Sequence, residues 1–153
     1  MFDIVKVEAQ PMIHVTRSAS MDSDEIARAM GEAFGAIGAF FGREGITPAG
    51  APLAVYRDWD GATMKIDVGY PVSPADAAKA GGEVASGQTP AGRALKALHN
   101  GPYMGLQQTY AAMESHIATA GLKAEGIAWE VYLNDPAQTP EAELVTEVYM
   151  RLS

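Results

Sequence analysis

Apolar residues change their spacing from two to three or four and back again, twice along the chain. Between residues 4 and 17 they alternate (Ile4, Val5 and Val7; then Met12, Ile13 and Val15), which predicts one or two strands. From Asp22 the spacing lengthens, and Ile26, Met30, Phe34, Ile37 and Phe41 fall on one helical face. Asp22 is placed to start that helix, Glu25 holds the capping-box position relative to it, and the helix ends near Gly45. Alternation returns over 52–58 and 62–70, joined by Asp58-Trp59-Asp60-Gly61, a hairpin signal. The second round has a strand at 92–98 and a turn at His99-Asn100-Gly101-Pro102. A helix over about 104–120 follows, carried by Leu106, Tyr110, Met113, Ile117 and Ala120 and closed by Gly121. Strands at 127–133 and 144–152 flank the loop 134–140.

The two rounds align on their tyrosines. Tyr56 in APLAVYRD matches Tyr132 in IAWEVYLND, and Ala54 then matches Glu130. This reads as a duplication: module one over about 1–72, a connector over 73–89 rich in Ala, Gly, Ser and Pro with a short strand near 83–86, and module two over 90–153. Each half is too small to bury a core alone, so a single domain over 1–153 is expected. The predicted class is α+β: tandem βαββ modules with pseudo-two-fold symmetry, an antiparallel sheet and two packed helices. Gly31, Gly35, Gly38 and Gly42 form a second stripe on the first helix, each costing ~1 kcal/mol against alanine. Close approach of that stripe to a sheet or helix would offset the cost; a weak, fraying helix is the plainer alternative.

Composition narrows the chemistry. The net charge is −8, which argues against a phosphate-binding surface and leaves room for a cationic ligand. Cysteine is absent, removing disulfides, thiol catalysis and zinc-thiolate sites together. The three histidines lack partners at ligand spacing, so no metal site is expected, and His99 is explained by its turn. No phosphate loop, dinucleotide fingerprint or nucleophile elbow is present, so no cofactor is expected. The apolar run at 33–42 is too short to span a bilayer, and MFDIVKVEAQ does not read as a signal peptide. A soluble cytoplasmic protein is expected, without direct nucleic-acid or membrane binding.

The one carboxylate that distinguishes the two modules is the leading site candidate. Alternation puts Ala128, Glu130 and Tyr132 on one side of their strand and Trp129, Val131 and Leu133 on the other. With simple hairpin register Tyr149 joins Glu130 and Tyr132, and Tyr56 occupies the symmetric place. A carboxylate among aromatic rings suits a lipophilic cation, drawn by the charge and by the ring quadrupoles. By spacing alone, Glu130 reads first as a solvated strand carboxylate paired with Lys65, Arg57 or Arg151, and the tyrosines serve equally well as amphipathic packing.

HNGPY followed by a helix, then GIAWEVYLNDP and LVTEVYMRL, resembles the GyrI-like small-molecule-binding domains, which also serve as effector-binding domains of AraC-type and MerR-type multidrug-responsive regulators. GAPLAVYRD and DVGYPV fit the same pattern, so the resemblance covers nearly the whole chain. It implies a central cleft in which Glu130 faces organic cations, with Tyr132, Tyr149 and Tyr56 as walls and Trp129 as a cleft or core residue. The chain departs from those regulators, which carry a helix-turn-helix segment before this domain: it has no room for one, its acidity fits that, and a stand-alone member is expected. The implied function is capture of amphipathic, cationic small molecules, as a sensor or sequestering protein. Two alternatives stay open: a hydrolase of electrophilic natural products in which Glu130 activates water, and a partner of DNA gyrase or of a separate regulator.

Overall fold

The computed structural model describes residues 2–153. Strand β1 (Phe2–Val7) leads into β2 (Pro11–Ser20) and helix α1 (Ser23–Glu44), then the hairpin β3 (Leu53–Arg57) and β4 (Thr63–Pro71). A one-turn helix α2 (Pro74–Ala77) and the short strand β5 (Ala85–Gln88) make the connector. Then come β6 (Gly92–Asn100), a 3-10 turn (Tyr103–Gly105), α3 (Leu106–Thr119), β7 (Ala124–Tyr132) and β8 (Val145–Leu152). All the strands join one antiparallel sheet in the order β1-β6-β8-β7-β3-β4-β2-β5. The α+β class holds. No helix is long and apolar enough to cross a membrane among the described residues.

The connections force this sheet to curl. β1 and β2 lie six places apart in the strand order, which is roughly 29 Å in a flat sheet. The linker 8–10 reaches at most roughly 14 Å. The second linker, 89–91, joins β5 to β6 from the other edge, and Thr89 N–H donates to the Gln10 carbonyl at 2.8 Å where the two pass. The curl wraps one face onto itself, burying Met12, Leu53, Val55, Ala94 and Trp129 with no helix over them. The opposite face carries both long helices. α1 covers Ile13, Val15, Ile66 and Val68, and α3 covers Leu95, Ala97, Val148 and Leu152.

Local sequence explains the helix ends. The Asp22 carboxylate accepts from the Asp24 N–H at 2.9 Å, and Gly45 closes α1 at φ 67°. Glu25 does not complete a capping box with Asp22. Its carboxylate reaches back to the end of β2, accepting from Ser20 N–H at 3.1 Å and Ser20 Oγ at 2.7 Å. His99, expected in a turn, belongs to β6 and faces the helix side of the sheet beside Thr146.

The glycine stripe of α1 does not approach anything. Gly31, Gly35, Gly38 and Gly42 are exposed, and a Cβ added at any of them meets no atom within 4 Å. Their helix-propensity cost therefore has no packing compensation. Gly35→Ala and Gly38→Ala are each expected to raise unfolding free energy by about 0.8–1 kcal/mol in urea melts. A loss of stability in either variant would show that the stripe is covered in solution.

Candidate functional site

β3 and β7 pair at the middle of the sheet, where the cores beneath α1 and α3 meet. Ala54 faces Glu130 across this pair, and Val148 faces Glu130 from β8. All three side chains point toward the helices. Glu130 is 3% exposed. A carboxylate so placed must find donors, and each of its donors here is a tyrosine hydroxyl. Tyr132 donates to Oε1 at 2.7 Å, Tyr110 to Oε2 at 2.7 Å and Tyr56 to Oε1 at 3.3 Å. The Tyr56 hydroxyl also has Met30 Sδ as an acceptor at 3.6 Å, which ties α1 to the cluster.

Each ring arrives from a different element. Tyr56 and Tyr132 flank the Ala54–Glu130 pair on β3 and β7, and Tyr110 comes from the second turn of α3. Tyr103, on the 3-10 turn before α3, lies edge-on to Tyr132 with centroids 5.6 Å apart. Tyr110 reaches Glu130 from α3 and Tyr103 reaches Tyr132 from the turn before it, so both rings gather at the same place.

Burial pushes the Glu130 carboxyl above its ordinary value of 4.5, against the opposing pull of hydrogen bonds from Tyr132, Tyr110 and Tyr56. Burial first, and then the Glu130 charge, hold Tyr56, Tyr110 and Tyr132 well above the usual tyrosine value. The hydroxyls stay protonated, so the carboxylate keeps neutral donors. Among the described residues no basic side chain pairs with it. Arg57 is taken by Asp67 at 2.6 Å and by Asp58 at 2.7 Å, and Arg151 reaches Glu125 at 4.0 Å. The solvated, ion-paired reading of Glu130 is thereby excluded.

One sequence expectation is corrected by the register. Tyr149 pairs across the hairpin with Trp129, not with Glu130, so it stands on the curled face. Val148, Met150 and Leu152 must face α3 to build its core, and alternation then sends Glu147, Tyr149 and Arg151 the other way. There Tyr149 stacks on Trp129 at 5.0 Å and 8°, its hydroxyl donates to Glu147 at 3.1 Å, and Lys96 sits 5.8 Å from its ring centroid. Trp129 is 2% exposed and is a core residue of that face. The rings close over Glu130. Surface cavities of about 430 and 540 Å³ lie elsewhere, one between His99 and α3, the other between β1 and Tyr149.

Tyr110 and Tyr103 join the site without having been singled out. Tyr110 appears in the sequence as one more position on an apolar stripe. The available signal was its hydroxyl, since a tyrosine in a core stripe needs a polar partner.

No curated protein matches the chain. Solved structures do. The C-terminal domain of EcmrR superposes with a TM-score of 0.83 at 18% identity, over 100% of this chain and 97% of that one. SAV2435, solved bound to tetraphenylphosphonium, has a TM-score of 0.70 at 10% identity, covering 100% and 94%. A hydrolase from Listeria innocua has a TM-score of 0.63 at 16% identity, covering 99% and 91%. At these identities the likeness establishes the fold. The description of the GyrI-like small-molecule-binding domains matches residues 1–153 from end to end, and the chain belongs to that family.

Proposed function

We propose that this domain binds lipophilic organic cations over Glu130, as a sensor or sequestering protein of the cytoplasm. The observation that carries the reading is a buried carboxylate whose hydrogen-bond donors are all tyrosine hydroxyls, with no ion-pair partner among the described residues. Such a group costs stability, and a cost retained at the centre of a fold is the mark of a site. A cation brings the missing opposite charge, and the rings of Tyr56, Tyr110, Tyr132 and Tyr103 offer π faces to its apolar body. Because the carboxylate is covered, entry requires the α3 side of the ring cluster to part from the sheet. SAV2435 bound to tetraphenylphosphonium supplies the probe.

Glu130 also stands at the centre of a tandem duplication in this reading. The tyrosine alignment relates residue 54 to 130, and these two residues are directly paired in the β3–β7 register. A two-fold axis through the sheet there maps the pair onto itself. The orders β2-α1-β3-β4 and β6-α3-β7-β8 support the same relation.

Cation binding favours the ionised carboxylate, so it drives off the proton that burial retains. With the folded value raised above 4.5, release is expected where Glu130 still holds its proton in the free protein, and it fades once Glu130 is already ionised there. Calorimetric titration with tetraphenylphosphonium in two buffers of different ionisation heat is expected to give different enthalpies at mildly acidic pH. Equal enthalpies there would contradict a proton-retaining Glu130.

A second reading has a specific observation behind it. Tyrosine hydroxyls 2.7 Å from a carboxylate of raised affinity for protons form an acid–base pair. The ionised carboxylate would take a proton from water as that water attacks an electrophilic carbon, and a hydroxyl would protonate the leaving group. The fold shared with the Listeria innocua hydrolase is compatible with this. Turnover of an alkylating aromatic substrate that survives Glu130→Gln would eliminate it.

A further inference from the structure

Beside Glu130 the same face holds a buried hydroxyl with nothing to bond. Thr146 is 0% exposed, and its Oγ1 has no hydrogen-bond partner. It lies in β8 directly between His99 of β6 and Tyr132 of β7. Each neighbouring polar group is already committed. His99 Nε2 lies 2.8 Å from the Pro102 carbonyl, which can only accept, so Nε2 carries the proton. Its Nδ1 is hydrogen-bonded with Thr109 Oγ1 at 2.8 Å. The Tyr132 hydroxyl donates to Glu130, whose two oxygens already accept from three tyrosines.

An unpaired buried hydroxyl costs stability, and valine would fill the same volume without that cost. Valine is also the better strand residue on a buried face, and Val148 occupies the next inward position of β8. Thr146 is thus a second polar group held against the interest of the fold. Glu130 is its diagonal neighbour across the β7–β8 pair, a separation of roughly 7 Å.

We propose that Thr146 is a specificity residue of the Glu130 site, selecting cations that carry a hydroxyl, ether or amide group close to the charge. Glu130 takes the charge and Thr146 takes the polar group, so the preferred ligand class is the lipophilic amino alcohol or amino ether, not the bare quaternary or phosphonium ion. The inference rests on the Glu130 reading and adds a second contact to it.

The test compares wild type with Thr146→Val, which keeps shape and removes only the hydroxyl. Three probes are titrated: tetraphenylphosphonium, which has no hydrogen-bonding group, the aryloxy amino alcohol propranolol, and its analogue lacking the hydroxyl. Wild type is expected to bind propranolol about fivefold or more tightly than the deoxy analogue, and T146V to bring that ratio to about one. Tetraphenylphosphonium affinity is expected to stay within about twofold, and the melting temperature of T146V to hold or rise. A ratio unchanged by T146V, or an equal weakening of all probes, overturns the inference while leaving the cation site standing. A fall in melting temperature overturns it too, because the hydroxyl is then satisfied within the fold. If wild type binds none of the three, the Glu130 reading fails and this inference falls with it.

Discussion

Glu130→Gln is expected to make the folded protein more stable at neutral pH while removing its affinity for cations. The stability change follows from linkage. The folded carboxyl titrates above its ordinary value of 4.5 because burial disfavours the charge. Below 4.5 the group is protonated in both folded and unfolded chains and contributes its full share. As pH rises the unfolded chain ionises first, and this contribution is lost progressively up to the folded value. Each unit of upward displacement corresponds to ~1.4 kcal/mol. Glutamine resembles the neutral acid, and the tyrosine hydroxyls can turn to accept from its amide. A gain on the order of 1 kcal/mol is expected at neutral pH, a rise of about 2–4 °C in melting temperature, and no gain in mild acid. Thermal melts of both proteins across this range check it. A variant less stable than wild type at neutral pH would mean that the three hydroxyls more than repay the burial.

Gly69→Ala carries the largest expected loss of stability. Gly69 lies in β4 opposite His14 of β2 and Leu53 of β3. A Cβ placed there overlaps the Ile13 carbonyl oxygen and stands 2.8 Å from His14 Cα. These are backbone atoms of the neighbouring strand, so no rotamer change relieves the clash. β2 and β4 must separate where Ile13 and Val68 are fully buried. A loss of about 3 kcal/mol or more is expected, lowering the melting temperature by roughly 6–12 °C. A loss below about 1 kcal/mol would show that the ladder yields locally.

Gly69 also shows what the sequence could and could not convey. The stripe of α1 glycines stood out because helical interiors disfavour glycine, and it invited an account based on close approach. The close approach of backbone to backbone occurs instead at Gly69 inside DVGYPV, where nothing in the spacing marks it. The contact depends on which residues of β2 pass Gly69, as the curl depends on two short linkers joining opposite edges, and periodicity contains neither. Element types were legible because each apolar face is regular: α1 from Ile26 to Phe41, and β3 and β4 from their alternation. The face of Tyr149 was not. It depends on which residue of β7 meets it across the loop from β7 to β8, and a shift of one position reverses every side chain. Packing decided the matter, since Val148 and Leu152 had to meet α3.

Glu130 itself was legible through its difference from Ala54, and the hydroxyl cage was partly legible through Tyr56 and Tyr132. Tyr110 and Thr146 were hidden for a common reason. Each sits at a position where an apolar residue would satisfy the pattern, so their polarity matters only once the neighbours are known.

The most direct test of a counter-charge at the centre of the sheet is titration calorimetry at neutral pH, comparing tetraphenylphosphonium with neutral triphenylphosphine oxide in wild type and Glu130→Gln. Wild type is expected to bind the cation in preference to the neutral compound, and the variant to lose about 100-fold in affinity for the cation while remaining folded. Equal affinity of wild type and variant for tetraphenylphosphonium would contradict the assignment of Glu130 as the group that receives the charge.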